Sequence, residues 1–146
     1  MNIILVVLFL LSTLVVFIES HNPINPVKAK TWVVITNELE GGRELKIHCK
    51  SGNDDLGFHV LRQHDWFQWH FRPNYFDNTL FFCAMDWGEG GIHWFDIYVQ
   101  HRDYDRCKHC HWFVKKGGPC LSLSDHQACY HWNPQGMMLR ESESFD

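Results

Sequence analysis

The chain has 146 residues, 13 basic and 17 acidic side chains for a formal charge of −4, 11 histidines and 6 cysteines. That length suits one domain, and the mildly acidic balance sets aside a nucleic-acid groove or a polybasic membrane patch, since neither phosphate-rich surface would attract it. The histidines make the charge depend on compartment, because imidazoles gain protons as the medium turns mildly acidic.

Residues Ile3 to Ile18 are apolar apart from Ser12 and Thr13, and Glu19 ends the run. The run is shorter than the roughly 20 residues that span a bilayer. It reads as the apolar core of a secretory signal over residues 1–20, with cleavage near Ser20. No Lys or Arg precedes it, so the alternative is an uncleaved anchor. The mature chain would hold about 126 residues, enough to bury roughly two thirds of its unfolded surface. It would carry 13 basic and 16 acidic side chains, a formal charge of −3. No stable membrane insertion is expected after cleavage.

Residues 21–30 contain Pro23 and Pro26 and read as an extended leader. Thr31 to Asn37 is short and β-branched, a strand by composition. After the Gly41-Gly42 turn, Leu45, Ile47 and Cys49 alternate with Glu44, Lys46 and His48, which points the cysteine inward. The Ser51-Gly52-Asn53-Asp54-Asp55 stretch is turn chemistry, with side chains bonding nearby backbone amides; a calcium or catalytic carboxylate pair at Asp54-Asp55 is the competing reading.

Further strands are expected over Phe58 to Leu61, Trp66 to Phe71, Thr79 to Met85, Ile92 to Val99 and Cys110 to Val114. They are punctuated by Pro73-Asn74, Gly88 to Gly91, the charged turn Arg102-Asp103-Tyr104-Asp105-Arg106, and Gly117-Gly118-Pro119. Short strands with turn signals about every 10 residues indicate an all-β fold, a small disulfide-bonded antiparallel β-sandwich. Seven Trp, 4 Tyr and 11 Phe fall mostly on these strands and read as core and cross-strand pairs, with a carbohydrate-stacking surface as the alternative. Residues 133–146 read as a polar tail, with Arg140 to Asp146 fraying.

The ordered set Val33-Ile35-Asn37, Leu45-x-Ile47-His48-Cys49-Lys50-Ser51, Asp54-Asp55-Leu56-Gly57, Phe71-Arg72-Pro73-Asn74-Tyr75-Phe76, Thr79-Leu80-Phe81-Phe82-Cys83, Trp94-Phe95-Asp96-Ile97-Tyr98, Arg102-Asp103 and Cys107-x-x-Cys110-x-Trp112 resembles the plant self-incompatibility S-protein family. The resemblance implies an S-protein-like β-sandwich over residues 31–132, secreted, with no enzymatic activity. It implies a ligand recognised at a surface by a cell-surface receptor or other extracellular protein. Four cysteines match the family's, namely Cys49, Cys83, Cys107 and Cys110; Cys120 and Cys129 lie in a C-terminal extension and are paired by parity.

An even cysteine count in a small secreted domain implies disulfides, although six cysteines allow 15 pairings. Cys107 and Cys110 are expected to join Cys49 and Cys83 in some order, bridging two sheets, and not each other. A redox-active Cys107-x-x-Cys110 lacks a βαβ setting. Structural zinc on Cys107, Cys110, Cys120, His126, Cys129 or His131 conflicts with an oxidising compartment. His109, His111 and His131 remain available as surface metal ligands. A ribonuclease-like histidine pair has no cleft to bring two histidines together, since His48, His70, His93 and His111 take outward strand positions. No Gly-x-Ser-x-Gly elbow and no Asn-x-Ser/Thr acceptor occurs. No catalytic residue, metal or cofactor is expected. The candidate recognition residues sit in turns: Asn53, Asp54 and Asp55; Glu89; Arg102, Asp103, Asp105 and Arg106.

Overall fold

The structure is a computed structural model that describes residues 2–19 and 27–134. The expected cleavage point near Ser20, the start of the leader and the tail beyond residue 134 lie outside the described residues. An apolar helix α1 (Ile3–Glu19) precedes nine strands: β1 (Thr31–Asn37), β2 (Leu45–Ser51), β3 (Asp55–Leu61), β4 (Trp66–Phe71), β5 (Leu80–Asp86), β6 (His93–Val99), β7 (His109–Lys115), β8 (Gly118–Ser122) and β9 (Gln127–Cys129). A single helical turn, α2 (Gln100–Asp103), joins β6 to β7. No described helix is long and apolar enough to cross a membrane.

The strands form two sheets, β4-β1-β7-β8-β9 and β3-β2-β5-β6. Alternation along each strand decides which face is dry: Val33 and Ile35 on β1, Ile47 and Cys49 on β2, and Trp112 and Val114 on β7 are fully buried or nearly so. Aromatic rings close the gap between the sheets. Phe71 and Trp69 of the first sheet meet Phe81 of the second at 4.5 and 5.6 Å between ring centres, and Trp112 meets Phe95 edge-on at 5.1 Å. Such offset contacts add about 0.5–1.5 kcal/mol per pair beyond burial. The sandwich expected from the sequence is therefore present, with one departure from an all-antiparallel pattern. β1 pairs antiparallel with β4 but parallel with β7, Trp32 lying opposite His109.

Asn37 closes the top of β1. Its buried amide donates to the carbonyls of Arg43 (2.7 Å) and Leu61 (2.9 Å) and accepts from the Leu39 N–H. One side chain thus satisfies three backbone groups, two in the loop after β1 and one at the end of β3, which an apolar residue could not do.

The disulfides keep the expected Cys120–Cys129 pair and correct the expectation that Cys107 and Cys110 join Cys49 and Cys83. Cys49 joins Cys83, Cys107 joins Cys110, and Cys120 joins Cys129. Cys49 does point inward, but its partner stands directly opposite on the neighbouring strand of the same sheet, 4.1 Å away between Cα atoms. No reach across the core is needed. Cys107 lies in the turn after α2, where its N–H donates to the Asp103 carbonyl, and this brings its Cα within 5.1 Å of Cys110. Cys120 and Cys129 again face each other across two adjacent strands.

Gly117 and Gly118 end β7 as expected, and two strands not named from the sequence follow, β8 opening at Gly118-Pro119. Pro119 brings no N–H to the ladder, but its carbonyl accepts from the Tyr130 N–H at 3.0 Å. Gly118 adopts φ +138°, and a Cβ there would stand 1.9 Å from the Tyr130 carbonyl oxygen. Replacing Gly118 with Ala is expected to lower stability by about 2–3 kcal/mol through overpacking and backbone strain. Gly117→Ala, with open space around it, should change little. Denaturant unfolding of the two non-reduced variants checks the difference.

Candidate functional site

The strand directions gather the connecting loops at two ends. Loops 38–44, 62–65, 87–92 and 116–117 share one end, tied by Arg43 and Lys116 to Glu89 at 2.6 and 3.2 Å and by the Gly42 N–H to Gln63. Lys116 first, then Arg43, holds the Glu89 carboxyl below the usual carboxylate range. Loops 52–54 and 72–79, with α2 beside them, share the other end and enclose a cleft of about 340 Å³. Phe71, Leu80 and Phe81 supply its apolar lining, while Asn53, Asp54 and Arg72 stand among its polar walls.

The sequence-derived recognition residues divide between these ends. Asn53 and Asp54 are exposed at the cleft, their turn fixed by Ser51, whose Oγ accepts from both backbone N–H groups at 3.3 and 3.0 Å. Asp55 is the first residue of β3 and is engaged locally: it accepts from the Gly57 N–H at 2.9 Å, meets His48 Nε2 at 2.6 Å and pairs with Lys50 at 3.2 Å. Glu89 lies at the opposite end of the molecule. Asp105 and Arg106 are exposed, and Arg106 donates to the Tyr130 hydroxyl at 2.5 Å.

Asp103 is the clear correction. A charged turn was expected to expose it, but its side chain has 0% exposure. It accepts a two-pronged contact from Arg102, Nε and Nη2 each at 2.7 Å, and a third bond from the Val99 N–H at 2.9 Å. Arg102 in turn sits 5.1–5.3 Å from the ring centres of Phe95, Trp112 and Tyr130 and donates to the Asp96 carbonyl. This pair is a strut, and neither residue is free to meet a partner.

What the strut holds is α2, and α2 holds the cleft. Buried Gln100 donates from Nε2 to the Asn74 carbonyl (2.9 Å) and to Asp77 (2.8 Å), and its Oε1 accepts from the Thr79 N–H. Asp77, in a left-handed conformation with φ 57°, also pairs with Lys28, which holds its carboxyl below the ordinary range. Loop 72–79 is thereby fixed at several points, yet its tip presents Tyr75 and Phe76 at 68% and 82% exposure. Sequence reasoning passed over this loop. The signal was present in Pro73-Asn74-Tyr75-Phe76-Asp77-Asn78, where two aromatics stand inside a run of turn formers instead of on a strand.

No group of three or more His, Cys, Asp or Glu poised to hold a metal ion occurs among the described residues. The histidines expected to face outward on strands are His48, His93 and His111, half-buried, and exposed His70. The first three lie against Phe58, Trp87 and Phe113 at 4.0–4.4 Å between ring centres.

Two predictions follow from these contacts. Removing the charge of Asp103 as Asn leaves Arg102 caged and unpaired and should cost about 3–5 kcal/mol, whereas Asp105→Lys should leave the unfolding midpoint almost unchanged. Asp55 supplies a pH signature. Its carboxyl is held well below the ordinary range, chiefly by the Gly57 N–H and then by His48. A depressed carboxylate contributes stability above its unfolded pKa of about 3.9 and loses it as pH falls toward the folded value. The Asp55→Asn variant should therefore lose less stability than wild type between pH 5 and pH 2, and concentrated salt should shrink the gap; acid titrations of both proteins measure it.

Comparison with known proteins places this geometry in a lineage. Residues 32–132 match the family profile described as plant self-incompatibility protein S1. The chain is 37% identical over 131 residues to S-protein homolog 29 of Arabidopsis thaliana, covering 86% of this chain and 96% of that protein. It is 40% identical over 116 residues to S-protein homolog 5 of the same plant, covering 80% and 88%. Among solved structures it is similar in fold to an SPH (self-incompatibility protein homologue) protein, from a family described as widespread, small, highly stable and secreted in plants. The TM-score is 0.52 with 17% identity, over 75% of this chain and 99% of that one.

Proposed function

Because the chain belongs to the plant self-incompatibility protein S1 family, we propose that it is a secreted, non-enzymatic ligand that acts in extracellular recognition through a surface receptor. The observation that carries this reading is the Tyr75–Phe76 pair, exposed beside the cleft on a loop pinned by Gln100, Asp77 and Thr79. Large aromatics held rigidly at the surface lose little entropy on binding and commonly supply the anchors of protein interfaces. Loops on a stiff scaffold are where recognition concentrates.

Secretion is supported by three features. The relative in the solved structure is described as secreted. The N-terminal apolar helix carries no charge before Glu19, as a signal core requires. All cysteines of the chain are bridged, which suits an oxidising exterior. In this reading residues 1–20 are removed, 21–30 form a leader and 31–132 are the working domain, to which Asn133 is still tied by bonds to the Trp94 carbonyl and the Asp96 side chain. Asn53 and Asp54 form the far wall of the surface that Tyr75 and Phe76 crown, with Asp105 and Arg106 on the adjoining loop. Glu89, at the other end, lies outside it.

The test is saturable binding of labelled mature protein to plant protoplasts. Tyr75→Ala with Phe76→Ala is expected to weaken binding at least tenfold, and Asp54→Lys by a smaller factor, with unchanged unfolding midpoints. Glu89→Lys should bind as wild type does. Equal binding by all of these variants would sink the placement.

A further inference from the structure

We propose that the outer face of the five-stranded sheet is a binding surface for an anionic polysaccharide, separate from the loop end. The first ground is charge. The strands β4, β1, β7, β8 and β9 contain no Asp or Glu, in a chain with 17 acidic residues. The four-stranded sheet has an acidic residue on three of its strands: Asp55 on β3, Asp86 on β5 and Asp96 on β6. Three of the acids near the ends of the larger sheet have local partners. Glu38 meets His64, Asp65 accepts from the Arg62 N–H, and Asp125 meets His126. Exposed Lys30 extends β1 at one end of the sheet, and exposed Lys115 closes β7 at the other, where it also donates to Gln127 at 3.2 Å. A chain of negative charges laid along this face would meet cations at both ends and none of its own sign between them.

The second ground is the shape and chemistry of the surface between those cations. His70, Trp32 and His109 stand side by side on β4, β1 and β7, at 4.5 and 6.0 Å between ring centres and within 15° of parallel. The indole faces are thus covered by imidazoles, and the row offers polar ring edges. Four residues along β4, roughly 13 Å away at strand spacing, Trp66 is 59% exposed. Exposed Gln68 lies between them, and Gln127 extends the face on β9. His111 lies on the same face, its Nε2 held 2.8 Å from Thr36 Oγ1, with burial lowering its pKa. It adds a polar edge and little charge.

An exposed indole for stacking, amides and ring nitrogens for hydroxyl groups, and flanking cations for carboxylates are the complement of an acidic sugar chain. Hydroxyl-rich sugars need hydrogen-bonding edges spread over a shallow surface, which an acidic peptide or a lipid head group does not.

Mature full-length protein passed over immobilised polygalacturonate tests the assignment. Retention that declines with salt is expected, weakened at least tenfold by Lys30→Glu with Lys115→Glu and at least threefold by Trp66→Ala. Near-UV circular dichroism of each variant should match wild type, and Tyr75→Ala should be retained as wild type is. Any of three outcomes overturns the proposal. These are no retention, equal or stronger binding to polyglutamate or to phosphatidylserine vesicles, and retention that persists in Trp66→Ala and the double charge reversal alike.

Discussion

The Arg102–Asp103 pair is the constraint on which the working end of this molecule depends. A guanidinium enclosed by Phe95, Trp112 and Tyr130 can stay in so apolar a place only if its charge is answered, and Asp103 answers it with both oxygens. Three rings drawn from β6, β7 and the segment after β9 are committed by one cation. In the same contact Asp103 caps the Val99 N–H and sets where α2 begins. From α2 the constraint passes to Gln100, and from Gln100 to the backbone of loop 72–79. Core, helix turn and cleft are therefore one mechanical unit.

The three disulfides act at a different scale. Each closes a local element: a pair of neighbouring strands, a turn leading into a strand, or a terminal hairpin. None ties one sheet to the other, so the packing of the sheets rests on aromatic contact and on the Arg102 cage. The bridges stiffen parts, while side-chain packing joins them. The Cys120–Cys129 hairpin carries Tyr130 into place against Arg102, which gives the C-terminal extension a structural task in the core.

Much of the scaffold was legible from two-residue periodicity. The inward parity of Ile47 and Cys49, of Phe95 and Ile97, and of Trp112 and Val114 needs only alternation, and each of these is buried. What alternation cannot express is who stands opposite whom. Cys49 had several inward-facing candidates, and only the β2–β5 register places Cys83 across from it. Asp103 was misread for a related reason. A charged residue in a charged turn is ordinarily solvated, and its burial requires an aromatic cage assembled from three distant segments. β8 was hidden by Gly118 and Pro119, residues that usually stop a strand, because the Tyr130 N–H that bonds the Pro119 carbonyl comes from a distant segment. At the candidate site, Asn53 and Asp54 were recognisable as turn residues, but their joining with loop 72–79 into one cleft is a product of the sandwich.

The parallel pairing of β1 with β7 has a consequence for how the chain folds during synthesis. β1 lies in the interior of its sheet, yet its strand partners come late, and the parallel one begins at His109. The four-stranded sheet, by contrast, is complete once Val99 has been made. Non-local pairing is slow because loop closure must precede its reward. The nascent chain should therefore hold one formed sheet and one waiting strand until nearly the whole domain has emerged. Until β7 is made, the inner face of the completed sheet has no partner sheet to cover it, so the last third of the domain decides when the core becomes dry.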